Sequence, residues 1–333
     1  MGHIPVRDRY TLIESELENR SELADAVREG LTQPIKSLPC RFLYNDEGSQ
    51  LFEQICELPE YYLTRAEREV LTNRAGEIAA LFPEPTTLAE LGSGSSSKTR
   101  LLIDAFLERR STLLYVPVDI SRGILEESAL ELLAAYEALE VLAIAGEYTQ
   151  GLRRLRHQGD HRKLIVWLGS NVGNLEREAA AQFLQDVREV MSPADRMLVG
   201  IDLRKEAAVL EPAYDDAQGV TARFSLNLLQ RINDELGGKF ELESFVHRAV
   251  YEEGPGRVKI DLVSQRDQTV DISYLDLQVH FARGEGIHTE SAYKYSRAEI
   301  DALAASAGLR VDHQWFDAAK RFSLLLFAPG PAG

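Results

Sequence analysis

Thr87-Leu88-Ala89-Glu90-Leu91-Gly92-Ser93-Gly94-Ser95-Ser96-Ser97-Lys98-Thr99-Arg100 reads as a strand, a glycine turn and the opening of a helix. Glycine permits positive φ and close approach of a ligand to the backbone. N–H groups at a helix start lack intrahelical partners and point at whatever lies in front of them. Three readings fit this stretch. The first is the opening loop of a doubly wound sheet that holds a nucleoside without phosphates. A phosphate loop comes second, because Ser97 and not glycine precedes Lys98. The third is an ordinary strand-to-helix turn, since short glycine motifs are weak signals.

The next apolar runs favour the nucleoside. Leu113–Val118 ends in Asp119, about twenty-five positions past the glycines, near the spacing at which an acidic residue meets ribose hydroxyls. Val141–Gly146 ends in Glu147-Tyr148, an acceptor for an adenine amino group beside an aromatic that can stack. Leu164–Leu168 runs into Gly169-Ser170-Asn171-Val172-Gly173-Asn174. Four successive strand ends thus carry polar or glycine residues, and open α/β sheets bind ligands at the carboxyl ends of their strands.

Strand and helix alternate from Leu88 to Leu203, the mark of parallel βαβ units. The rhythm then breaks into one long helix, about Gln218 to Leu236, and strands joined at Glu253-Gly254-Pro255-Gly256. Two closing strands, Leu309–Phe316 and Phe322–Phe327, complete the plan of a Rossmann-like, seven-stranded methyltransferase core. The expected organisation is a core over residues 65–203 and 294–333, with an α+β substrate module inserted at 204–293. Residues 1–64 are expected to contribute to that module. Within them, Ser49 is expected to cap a short helix, and of the adjacent Tyr61 and Tyr62 one can line a pocket. The Pro/Gly-rich tail from Ala328 is expected to be loose.

The 333 residues suffice for a sizeable core. With 53 acidic and 37 basic side chains the net charge is −16, which disfavours a nucleic-acid partner. Cys40 and Cys56 make neither a disulfide framework nor a metal cluster, and seven scattered histidines give no metal spacing. No run is long enough to span a bilayer, and Val6 removes a lipidation reading of the Met1-Gly2-His3 opening. The expectation is a cytoplasmic monomer without metal, membrane or nucleic-acid partner.

Five motifs occur in order: Tyr44–Glu53 (YNDEGSQLFE), Leu58–Arg65 (LPEYYLTR), Glu90–Gly94 (ELGSG), Leu168–Asn174 (LGSNVGN) and Ile287–Tyr295 (IHTESAYKY). Together they resemble the histidine Nα-methyltransferases of ergothioneine biosynthesis, from about Leu38 to the C-terminus. The resemblance implies S-adenosylmethionine (SAM) as cofactor and a small-molecule amino acid as partner, with three methyl transfers to the α-amine of histidine. It carries cofactor contacts onto Gly92, Lys98, Asp119, Glu147 and Tyr148. Substrate contacts fall on Tyr44, Tyr61, Gly169, Asn174, Tyr214 and Glu290. In that reading Tyr44 orients the amine, Asn174 and Tyr214 hold the carboxylate, and Glu290 accepts from the imidazole N–H. The family's usual serine two residues after that glutamate is Ala292 here, with Ser291 beside it. Losing one imidazole partner costs about 1–3 kcal/mol, which opens the way to another amino acid such as tryptophan. A catalytically silent nucleoside-binding relative is the remaining alternative. Taken without the resemblance, Glu290 reads as a helical-turn partner of Lys294, Tyr214 as part of a surface loop and Lys98 as a solvated lysine.

Overall fold

The computed structural model describes residues 8–14, 20–156 and 161–330. The Met1-Gly2-His3 opening and the last three residues of the tail lie outside them. In chain order the elements are β1 (Tyr10–Glu14), α1 (Arg20–Thr32), β2 (Lys36–Ser37), α2 (Asp46–Cys56), α3 (Tyr62–Ala80), β3 (Thr86–Leu91), α4 (Arg100–Leu107), β4 (Leu113–Asp119), α5 (Arg122–Ala135), β5 (Leu139–Ala145) and α6 (Tyr148–Leu155). There follow β6 (Arg162–Trp167), α7 (Arg177–Val190), β7 (Arg196–Asp202), α8 (Ala207–Tyr214), α9 (Val220–Leu236), β8 (Phe245–Glu252), β9 (Arg257–Ser264), β10 (Gln268–Ile272), β11 (Leu277–Phe281), β12 (Gly286–Tyr293), α10 (Arg297–Ser306), β13 (Leu309–Phe316) and β14 (Phe322–Pro329). They fall into two compact units.

The first unit spans Met1–Leu17, Leu63–Arg204 and Lys294–Gly333. Its sheet runs β1-β5-β4-β3-β6-β7-β14-β13. Every residue of β3 is buried, as a strand covered on both faces requires. Leu88, Leu102, Phe106, Tyr115, Leu164 and Leu198 are among the buried side chains of its core. From β3 the chain builds outward through β4 and β5, then returns to lay β6 on the other side of β3. That reversal is the switch point at which such sheets bind ligands. Only β14 runs against the other strands. It continues to Pro329, pairing with Leu309, so the tail is ordered two residues beyond the point where looseness is expected.

The sheet has eight strands, one more than expected. Tyr10–Glu14 adds in parallel to the edge of β5, with Leu12 opposite Ala143 and Ile13 opposite Ile144. The reason lies one residue earlier. The buried Arg9 guanidinium donates to the carbonyls of Tyr136 (2.7 Å), Leu139 (3.0 Å) and Leu133 (2.9 Å), which lie at and just beyond the end of α5. A cation is favoured at the negative end of a helix, and it pins the strand there. The N-terminal segment, expected to contribute to the inserted module, thus also supplies a strand to the larger sheet.

The second unit comprises Glu18–Tyr62 and Lys205–Tyr293. It contains a sheet ordered β2-β12-β9-β8 and a separate β10-β11 pair. β8 and β9 are joined at the expected hairpin, where Gly256 N–H donates to Glu252 O at 2.8 Å. Phe281 packs edge-on to Phe245 (5.3 Å) and Phe240 (6.1 Å). The cap of α2 is Asn45 rather than Ser49: its Oδ1 accepts from Gly48 N–H (2.9 Å) and from Asn227 Nδ2 (2.7 Å). Because the helix starts earlier than expected, Ser49 lies inside it.

Candidate active site

In the first unit, the turn after β3 is closed by its own hydrogen bonds. Gly92 N–H and Ser93 N–H donate to Val118 O (2.8 and 3.3 Å), and Ser96 N–H donates to Ser93 O (2.9 Å). Gly94 N–H donates to Asp119 Oδ2 (2.8 Å). A phosphate loop needs such N–H groups for the phosphates, so that reading is set aside. The helix begins at Arg100, later than expected, because the serines and Lys98 form turns before it.

Asp119 closes β4. Its second oxygen accepts from Ser121 N–H at 2.9 Å, so both carboxylate oxygens are fixed by backbone. An ionised carboxylate can accept about four hydrogen bonds, and sugar hydroxyls are donors of the kind it takes. Gly92 has φ +70°, and a Cβ there would lie 2.8 Å from Tyr148 Oη and 3.1 Å from Asn171 Nδ2. A larger residue there would be strained at this φ and would have to displace the Tyr148 hydroxyl. Tyr148 opens α6, and its ring packs against Trp167 (5.9 Å) and Phe183 (5.6 Å). Glu147, at the cap of the same helix, donates its N–H to Gln150 Oε1 at 3.0 Å. Gly169 (φ +74°) and left-handed Ser170 (φ 59°) lead from β6 into the short turn Asn171–Asn174. The residues assigned to the cofactor thus gather at the ends of β3, β4 and β5, and Gly169 and Asn174 follow β6. Lys98 is no solvated lysine: it forms an ion pair with Glu67, a fully buried residue that no sequence motif had marked.

Beneath the glycine turn lies Glu90, also buried. It accepts from Thr99 Oγ1 (2.5 Å) and from the Tyr115 hydroxyl, and Ser96 Oγ lies 2.9 Å from that hydroxyl. Burial pushes the Glu90 carboxyl up to about 7, against the hydrogen bonds from Thr99 and Tyr115 and the charge of Lys98. Folding therefore favours the protonated form. The resulting stabilisation is complete below about pH 4.5, the ordinary carboxyl value, and is lost as pH rises through 7. Urea unfolding at pH 5 and pH 8 should show a smaller loss of stability in Glu90→Gln than in the parent, by at most about 3 kcal/mol. Equal losses would place the titration elsewhere.

In the second unit, Tyr44, Tyr61 and Tyr214 are brought together. Tyr44 packs on Phe52 (5.5 Å) and Phe224 (5.3 Å), and Tyr61 packs on Phe52 (6.3 Å) and Tyr214 (6.1 Å). Tyr214 ends α8 and is buried, which corrects its reading as a surface loop; its carbonyl lies 2.7 Å from Nε2 of buried His247. Tyr61 and Tyr62 are both buried because α3 begins between them, so they are not neighbours along an extended strand.

Glu290 and Ala292 lie on β12, a strand that the motif there did not reveal. They stand opposite Ile260 and Val258, the buried side of β9. Glu290 thus lies on a strand and not on the helical turn expected for a pairing with Lys294, and Lys294 pairs with Asp202 in the first unit. Burial and then the Glu290 charge push the Cys40 thiol up to about 12, so it stays protonated. Ser291 stands on the other face, opposite Lys259. His288 links Asp261 (Nδ1–Oδ1 3.1 Å) to Ser291 (Nε2–Oγ 3.0 Å), and Arg257 Nη1 donates to the same Ser291 hydroxyl at 3.2 Å. Against the pull of burial, hydrogen bonds from His288 and Lys259 hold the Asp261 carboxyl below its ordinary value.

Residues 23–329 match the family model of histidine-specific, SAM-dependent methyltransferases. The chain belongs to this family. It is 41% identical to histidine N-alpha-methyltransferase of Mycolicibacterium smegmatis over 90% of this chain and 92% of that one. The protein of that name from Mycobacterium tuberculosis is also 41% identical, over 91% and 93%. Ergothioneine biosynthesis protein 1 of Neurospora crassa is 34% identical over 84% of this methyltransferase, which spans 32% of that longer protein. In this methyltransferase Ser291 and Ala292, as neighbours on β12, point to opposite faces of the strand.

Proposed function

We propose that this methyltransferase transfers methyl groups from SAM to the α-amine of L-histidine, three in succession, giving the betaine used in ergothioneine formation. The observation that carries the reading is the anchored Asp119 carboxylate beside the Gly92 turn, at the switch point of the sheet. When bound, SAM supplies a methyl group on a sulfonium that needs no further activation. The chain's own residues position, desolvate and manage protons. Asp119 takes the ribose hydroxyls, with Gly92, Lys98, Glu147 and Tyr148 as further cofactor contacts. Asn174 and Tyr214 give neutral donors to the substrate carboxylate, with Gly169 and Tyr61 as further contacts, which leaves the Glu290 charge to read the imidazole. The α-ammonium must lose a proton before each transfer, and burial beside a cation favours that loss. Tyr44 orients the resulting amine.

No helix among the described residues is long and apolar enough to cross a membrane. We propose a cytoplasmic monomer, and the charge of −16 disfavours a nucleic-acid partner. Calorimetry with S-adenosylhomocysteine present, titrating histidine against tryptophan, tests the substrate, and mass spectrometry of the product counts the methyl groups. Absence of heat with histidine would remove the substrate, and absence of cofactor binding would remove the class.

Ala292 favours one second reading, the same chemistry on another amino acid. Introducing the hydroxyl decides between them. Ala292→Ser should tighten histidine binding by about 1 kcal/mol, roughly fivefold. Equal or weaker binding would mean that Glu290 faces a different side chain.

A further inference from the structure

Glu67 sits near the start of α3 and is 0% exposed. Both its oxygens lie 2.9 Å from the Gly169 N–H, and it forms the ion pair with Lys98. Space for the carboxylate exists because residue 200 is glycine; a Cβ there would collide with Glu67 Oε1. A buried carboxylate is tolerated only when it is paired and hydrogen-bonded. Here a single charge is satisfied by two loops that follow different strands. Lys98 lies 31 positions away, after β3, and Gly169 lies 102 positions away, after β6.

We propose that Glu67 is a positioning residue for methyl transfer. It holds the donor-side lysine and the acceptor-side loop Gly169–Asn174 in one arrangement, so that binding of donor and acceptor is coupled. The inference rests on the roles given above to Lys98 and Asn174. A purely architectural role, fastening α3 to the sheet, would give a different signature. Asp195 supplies the comparison. It is an equally buried carboxylate at the other ends of β6 and β7, accepting from Lys163 N–H (2.7 Å) and Ser192 N–H (2.8 Å), with the Lys163 ammonium 3.6 Å away.

The test measures S-adenosylhomocysteine affinity, histidine affinity with and without it, and Tm, in the parent, Glu67→Gln and Asp195→Asn. Glu67→Gln should weaken S-adenosylhomocysteine about tenfold and abolish its influence on histidine affinity. Asp195→Asn should lower Tm and leave both affinities within about twofold. The proposal is overturned if Glu67→Gln behaves as Asp195→Asn does, changing Tm alone. Should Glu67→Gln show no cooperative unfolding, Lys98→Met reads the same link from its other end. It should weaken histidine at saturating S-adenosylhomocysteine as well as the nucleoside itself; weakening of the nucleoside alone overturns the coupling. Failure of the parent to bind either ligand would instead overturn the enzyme reading on which the coupling rests.

Discussion

Lys294→Met should destabilise the first unit by about 3–5 kcal/mol, the cost of breaking a buried ion pair by removing one partner. Lys294 Nζ lies 3.0 Å from Asp202 Oδ2, and the two side chains are 1% and 0% exposed. The pair closes β7 where several segments meet. Asp202 N–H donates to Ser170 Oγ at 3.0 Å, and Tyr295 N–H donates to Asp202 O at 3.1 Å. Without the ammonium, the buried Asp202 carboxylate loses the cation that lies 3.0 Å from it. Asp202→Leu combined with Lys294→Met removes both charges and should recover most of the loss, because apolar replacement of a whole buried pair is often neutral. Urea denaturation of the parent, the single variant and the double variant provides the check. A loss below about 1 kcal/mol in the single variant would show that water reaches the pair.

Asp119→Ala is expected to raise the Kd for S-adenosylhomocysteine by about 1.5–3 kcal/mol, from roughly ten- to a hundredfold. The range is that for hydrogen bonds to a charged group. The same change leaves the N–H groups of Gly94 and Ser121 without their acceptor, so Tm should fall as well. Asp119→Asn separates the two effects. It keeps one carbonyl oxygen for a backbone donor and loses the charge, so affinity should fall with less cost to Tm. An unchanged Kd in Asp119→Ala would mean that the sugar is gripped at another strand end.

The strands from β3 to β7 were legible because buried parallel strands are written as continuous apolar runs with punctuation between them. The hairpin at Glu253–Gly256 was legible from its turn residues. The edge strand β1 was not: five residues carry little period, and its partner β5 is remote in sequence. Strand β12 was hidden because Ile287–Tyr295 reads as a motif of polar residues, and the register shift between His288 and Glu290 breaks its alternation. The residue types for binding were visible, but their partners were not. Nothing around Glu67 in α3 distinguishes it from the neighbouring Glu69, which is exposed. Its importance comes from contacts 31 and 102 positions away. The side to which Ser291 points is likewise a property of the sheet, with no local signal to announce it.

The turn between β3 and α4 has a thermodynamic consequence. Its amides are engaged with Val118, Asp119 and Ser93, so its conformational freedom is surrendered during folding. The nucleoside proposed to bind there would meet a turn already held by these bonds, so its affinity would not be diminished by ordering that segment.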